Sequence, residues 1–171
     1  IVIENGMIKM VGPTEEMGHD IDMSHYEVVD ASGKAVLPGF VDSHTHFVLG
    51  GYRAEEFSWR LQGMSYMDIM AQGGGIVSTV DATRKATKEE LIALGKKRLD
   101  SMLAFGVTTV EGKSGYGLDY ATEVKQLVVM AELDATHPVD IARTFLGAHA
   151  VPRNYKGNEE GFIEYIIREI L

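Results

Sequence analysis

At 171 residues with 45% hydrophobic content and no cysteine, the chain is long enough to bury one sizeable core, and it can form neither a disulfide nor a thiolate metal site. Its formal net charge of -9, without a run of Lys or Arg, excludes a nucleic-acid or anionic-membrane surface and leaves a small-molecule substrate as the expected partner. No apolar run approaches the roughly 20 residues of a membrane helix and the N-terminus lacks a signal-peptide pattern, so a reducing cytoplasm is the expected location.

Ile1 to Val11 reads as two short β runs around Asn5-Gly6, a pair that tolerates positive φ and so marks a hairpin. Gly12 to Gly33 is turn-rich and polar, and Lys34 to Val41 turns apolar, as for a strand entering a second core. Residues 1–33 are therefore expected as part of a small β unit and residues 34–171 as a second unit. Ser65 with Asp68 forms a capping box for a short helix ending at Gly73-Gly74-Gly75, and Thr87 with Glu90 forms another for a helix ending at Gly106. Val107 to Val110 reads as a β-branched strand, Asp119 caps a further helix, Val139 to Leu146 is the next strand, and Gly161 to Leu171 is an amphipathic helix without a stop signal. Strands alternating with helices indicate parallel βαβ units, hence a barrel or a doubly wound sheet. Because Ile1 is not an initiator Met and the last helix has no stop, a piece of a longer protein is expected.

Alternate residues of a strand share a face, so His44 and His46 are expected to project together, with Asp42 on the same side. Two imidazoles at a strand end can seize one divalent ion, although a catalytic site normally has three protein ligands and Asp42 would serve to orient rather than bind. For the tripeptide alone, a chance His-x-His on a solvated strand end is the commoner reading. Context changes the odds, because three strand exits carry polar clusters: Asp42 to His46, Glu111 to Gly117 and Gly147 to His149. In a parallel barrel all such exits converge on one face, where active sites lie.

Tyr116, flanked by Gly115 and Gly117, is either held against a ligand or an ordinary packing anchor. Lys113 is an ion-pair residue or a catalytic amine, the first being commoner, and Tyr66 has no assigned role. Arg53 could fork onto a carboxylate or lie solvated on the surface, and His149 could equally be a core histidine. Gly73 to Gly75 lacks the remainder of a phosphate-loop motif. His19, His25 and His137 fall in turn-like segments and are expected to be solvated.

Val36-Leu37-Pro38-Gly39-Phe40-Val41-Asp42-Ser43-His44-Thr45-His46 resembles the first barrel strand of the amidohydrolase superfamily, and the preceding ribbon resembles the small β-sandwich domain of those enzymes. The segments Glu111 to Leu118, Phe145 to His149 and Gly73 to Ile76 extend the resemblance along the chain, the K-S-G-Y-G-L run being far more specific than H-x-H. The resemblance implies an α/β fold, the N-terminal part of a metal-dependent (β/α)8 TIM barrel with its first three β/α units in residues 34–171. It implies one divalent metal ion, zinc or iron, bound by His44 and His46. Arg53, Tyr116 and His149 would contact substrate, with His149 also assisting catalysis, while further ligands and the proton-handling acid lie in later strands. The implied activity is hydrolysis of a C–N bond in a small cyclic amide, by a fragment inactive alone. A heterocycle deaminase and a non-catalytic metal-binding fragment are the alternatives, and a homodimer is left open.

Overall fold

The computed structural model describes residues 1–17 and 21–171 and divides them into two compact units, Ile1–Pro38 and Gly39–Leu171. His19 lies outside the described residues.

The first unit contains an antiparallel ribbon of β1 (Val2–Glu4) and β2 (Met7–Met10), joined through Asn5 (φ 51°) and Gly6 (φ 75°). Both turn residues are left-handed, the geometry that matches the strand twist in a two-residue hairpin. Glu4 ties the ribbon together, accepting from Lys9 Nζ at 2.5 Å and from the Tyr26 hydroxyl. A single helical turn, α1 (Thr14–Met17), and a 3-10 turn at Met23–His25 follow, the latter capped by Asp22. His25 is solvated, with a 79% exposed side chain.

The second unit is built on a parallel sheet in the order β3 (Phe40–Thr45), β4 (Val107–Lys113), β5 (Asp140–Thr144). The first strand begins later than its apolar run suggests. Pro38 has no N–H to give to a ladder, and the first β3 residue to bond is Phe40, whose N–H donates to the Gly106 carbonyl at 2.8 Å. β4 is central. Its Val110 and Gly112 face the helices, and Val110 is fully buried.

Between β3 and β4 lie α2 (Ala54–Leu61), α3 (Tyr66–Ala71), α4 (Ile76–Lys85) and α5 (Lys88–Ala104); α6 (Tyr120–Asp134) joins β4 to β5. Both expected capping boxes form, at Ser65/Asp68 and Thr87/Glu90, and Asp119 caps α6. α2 and α4 carry no side-chain cap of their own. α5 and α6 pack Leu91, Leu99, Val129, Met130 and Leu133 onto Val110 and Ile141, together with Phe47 and Val48 from the segment leaving β3. A second cluster joins Val80 of α4, Leu118, Phe162 and Ile166; Phe162 belongs to α7 (Glu159–Tyr165), which continues as a π-helical turn over Ile166–Ile170. The observed architecture is thus α/β with three parallel strands, α5 and α6 covering one sheet face.

His137 departs from expectation. Its side chain is 3% exposed, with Nε2 3.2 Å from Asp100 and Nδ1 accepting the Val139 N–H at 3.1 Å. The turn after α6 is pinned onto the start of β5, so the ring is enclosed although its segment reads as a turn.

Candidate active site at the strand exits

The three polar exits meet at the C-terminal ends of β3, β4 and β5. His44 and His46 lie with ring centroids 5.5 Å apart, His46 is 4.8 Å from Tyr116 and 4.6 Å from His149, and Tyr116 and His149 are 5.4 Å apart. The strand geometry behind this is not simple alternation. Asp42 pairs with Val110 and Thr45 with Gly112, so the register slips between them. Asp42 Oδ1 accepts the N–H of His44 at 3.1 Å, a local turn-like bond. Among the described residues no hydrogen bond joins Asp42 to a histidine ring.

His46 is the most unusual side chain of the group. It is half-buried, yet both ring nitrogens are enclosed and neither has a hydrogen-bond partner. Backbone groups of Ser114 and Lys113 lie near enough to favour its charged form slightly without meeting bonding geometry. Burial, and then the neighbouring His149 and His44 rings, push the imidazole down to about 4. It is therefore neutral at pH 7, the form that ligates a metal. A buried polar atom without a partner calls for an explanation. Among the described residues no set of three His, Asp or Glu side chains converges on one point.

Tyr116 sits on a loop shaped by a residue that sequence reasoning missed. Glu123, in the first turn of α6 and 0% exposed, accepts the Gly115 N–H on Oε2 and the Gly117 and Leu118 N–H groups on Oε1, each at 2.8 Å. The loop accordingly turns through left-handed Gly115 (φ 114°), where a Cβ would lie 2.8 Å from the Leu146 carbonyl and 2.9 Å from His149 Cβ. That close approach brings the β4 exit against the β5 exit. Ser114 fastens the same junction, its N–H donating to Thr144 O and its Oγ accepting from Leu146 N–H, both at 3.0 Å. Burial raises the pKa of Tyr116, against a smaller opposing effect of the Arg53 charge.

Arg53 and Tyr116 line one cavity of about 250 Å³ together with Leu49, Ser78 and Thr79. The guanidinium is neither free nor merely solvated: Nε and Nη2 donate to Glu56 Oε1 and Oε2 at 2.8 and 2.7 Å. Glu56, 7% exposed, also accepts the Gly75 N–H at 2.7 Å. The glycine run is explained by this carboxylate rather than by a phosphate. Gly75 caps α4 at φ 72°, and a Cβ on Gly74 would meet Glu56 Oε1 at 3.0 Å and Ile69 Cγ2 at 2.7 Å. Lys113 forms an ion pair with Glu111, which also accepts from Thr144 Oγ1 at 2.7 Å. Tyr66 lies under the Arg60 guanidinium, 5.8 Å from its ring centroid.

Residues 27–79 match the Amidohydrolase family. Imidazolonepropionase from Clostridium tetani (strain Massachusetts / E88) is 62% identical over 171 residues, covering 100% of this chain and 41% of the relative. The imidazolonepropionase of Parabacteroides distasonis is 54% identical with the same coverage, and that of Bacillus cereus (strain ATCC 14579) is 54% identical over 165 residues, covering 96% of this chain and 38% of the relative. Along its whole length the chain is similar to imidazolonepropionases, and it spans about two-fifths of the length of the curated relatives it matches.

Proposed function

We propose that the protein to which this chain belongs opens the ring of 4-imidazolone-5-propanoate by hydrolysis, giving N-formimidoyl-L-glutamate in histidine degradation in the cytoplasm. Water adds to the ring carbonyl, the adjacent C–N bond breaks, the carbonyl carbon becomes a carboxylate, and the departing nitrogen takes up a proton as the formimidoyl imine. The observation that carries this reading is the gathering of His44, His46, Tyr116 and His149 at adjacent parallel strand ends, in a chain 62% identical to a named imidazolonepropionase. The sheet would be the opening part of a (β/α)8 barrel, in which strand exits form the active face.

In this reading His44 and His46 hold one divalent ion, zinc or iron, and the unpartnered ring nitrogens of His46 support that assignment. When bound, the ion supplies Lewis acidity and a nucleophilic water at neutral pH. Arg53 holds the propanoate carboxylate, and Tyr116 and His149 orient the ring between them. His149, exposed and beside His46, also moves a proton during ring opening. Lys113 is committed to Glu111 and takes no part.

The test uses the complete protein purified with zinc or iron. Formation of N-formimidoyl-glutamate, lost in His46→Ala together with bound metal, is the expected result. Ammonia release from a heterocycle, without ring opening, would make it a deaminase instead.

A further inference from the structure

We infer that Glu56 is a positioning residue: by holding one edge of the Arg53 guanidinium it leaves the other for a ligand carboxylate, and so sets the preference of the site for anionic over neutral substrates. The inference rests on the proposed ring-opening activity. Guanidinium has five N–H donors and two usable bidentate edges, the Nε/Nη2 side and the Nη1/Nη2 end. Glu56 takes the first edge through two short bonds. Among the described residues no hydrogen bond uses the Nη1 pair, and Arg53 lines the cavity that also holds Tyr116.

Glu56 is itself fixed. Its Oε1 accepts from Gly75, the N-cap of the ten-residue helix α4, where the helix dipole favours a carboxylate. A Cβ added at Gly74 would lie 3.0 Å from the same oxygen, so a side chain there would crowd it. The direction of the Arg53 fork is thus set from α2 and from the start of α4 together, rather than by the long and flexible arginine side chain alone. Two further residues from the beginning of α4, Ser78 and Thr79, line the same cavity, so one helix start serves both the anchor of the arginine and the wall of the site. A competing effect has the opposite sign: Glu56 is an anion near the position of a second anion, and simple repulsion would weaken carboxylate binding. The fixed bidentate geometry is inferred to outweigh that repulsion.

The experiment compares the complete protein with Glu56→Gln on two substrates, imidazolone-propanoate and the same ring carrying a propanamide tail. Gln keeps an acceptor for Gly75 or Arg53 but loses the two-oxygen fork. The expected result is a roughly tenfold or larger rise in KM for the propanoate, kcat within about threefold, and little change for the propanamide, so that the preference for the anion collapses. In an Arg53→Ala background the same change should have no further effect on that preference. Equal losses on both substrates would mean a purely structural role, and a fall in KM for the propanoate would mean that repulsion dominates; either overturns the inference. If Glu56→Gln does not fold, Glu56→Asp, charged but one methylene short, should show the same selective loss at smaller size, and equal loss on both substrates would again overturn it. A parent protein that opens neither ring removes the proposed function and this inference with it, whereas an active parent whose preference survives in the variants removes the role of Glu56 alone.

Discussion

On the proposed ring-opening activity, replacing Arg53 by alanine in the complete protein removes the planar fork from the cavity wall, and KM for the proposed propanoate substrate is expected to rise about ten- to a hundredfold with kcat much less affected, the scale of a lost charge-assisted pair. Arg53→Lys should recover only part, since an ammonium lacks the fork. Unchanged KM in the alanine variant would leave Arg53 as a scaffold partner of Glu56. Glu56 adds a pH dependence of stability. The Arg53 hydrogen bonds, then the Gly75 N–H and the Arg53 and Arg60 charges, hold its carboxyl below the ordinary range despite burial. A carboxyl with a depressed folded pKa stabilises fully above its unfolded value, near 4.3, and loses that contribution as pH falls through the folded pKa. Between pH 5 and 3 the thermal midpoint should therefore fall more steeply in the parent than in Glu56→Gln; parallel slopes would refute it. That the rings of His44, His46, Tyr116 and His149 gather was legible because each lies at, or shortly after, the end of a strand-like run. Glu56 was not, because it serves Gly75, 19 residues away, and such a bond leaves no local motif.

At the scale of elements, legibility followed whether a helix start is written locally. Ser65/Asp68 and Thr87/Glu90 carry their caps within four residues and could be read directly. α4 could not: its start is served by Glu56, and its C-terminal carbonyls at Thr83, Arg84 and Ala86 are satisfied by Lys125 of α6, 39 or more residues away. The β3 register was likewise illegible, since the slip between Asp42 and Thr45 breaks the alternation that a sequence pattern presumes. The loop between β4 and α6 offers a test at this scale. Glu123→Gln leaves one acceptor oxygen where two serve Gly115, Gly117 and Leu118, and aims an amide N–H₂ at a buried donor. The expected cost is about 2 to 4 kcal/mol, with a lower thermal midpoint and faster amide exchange at Gly115. Unaltered exchange there would show that the loop is held by its glycines and Ser114 instead.

At the scale of the whole molecule, three parallel strands with intervening helices were readable from the alternation of β-branched runs and capped amphipathic segments, whereas closure into the proposed barrel would need further strands. That difference yields a prediction about residues 1–171 expressed alone. In the observed order β3 and β5 are the edges, each paired on one side only. Phe40 and Val41 of β3 are 54% and 67% exposed, and Phe105 just before β4 is 81% exposed. Such edges, with apolar side chains beside unpaired backbone groups, are templates for pairing with another copy. The helix-covered face has a core of its own, around Val110, Leu99 and Met130, so helical secondary structure should form. The opposite face carries Glu111, Lys113 and Thr144, which are joined by mutual polar bonds rather than by an apolar cluster among the described residues. The isolated chain is therefore expected to be helical by circular dichroism and to associate in a concentration-dependent way; on the proposed metal-dependent reading it should also show no ring opening with added zinc or iron, because the two histidines proposed as ligands would fall short of the three that a catalytic centre normally has. A monomer with a sharp cooperative unfolding transition and measurable turnover would refute both the open-edge account and the need for further ligands.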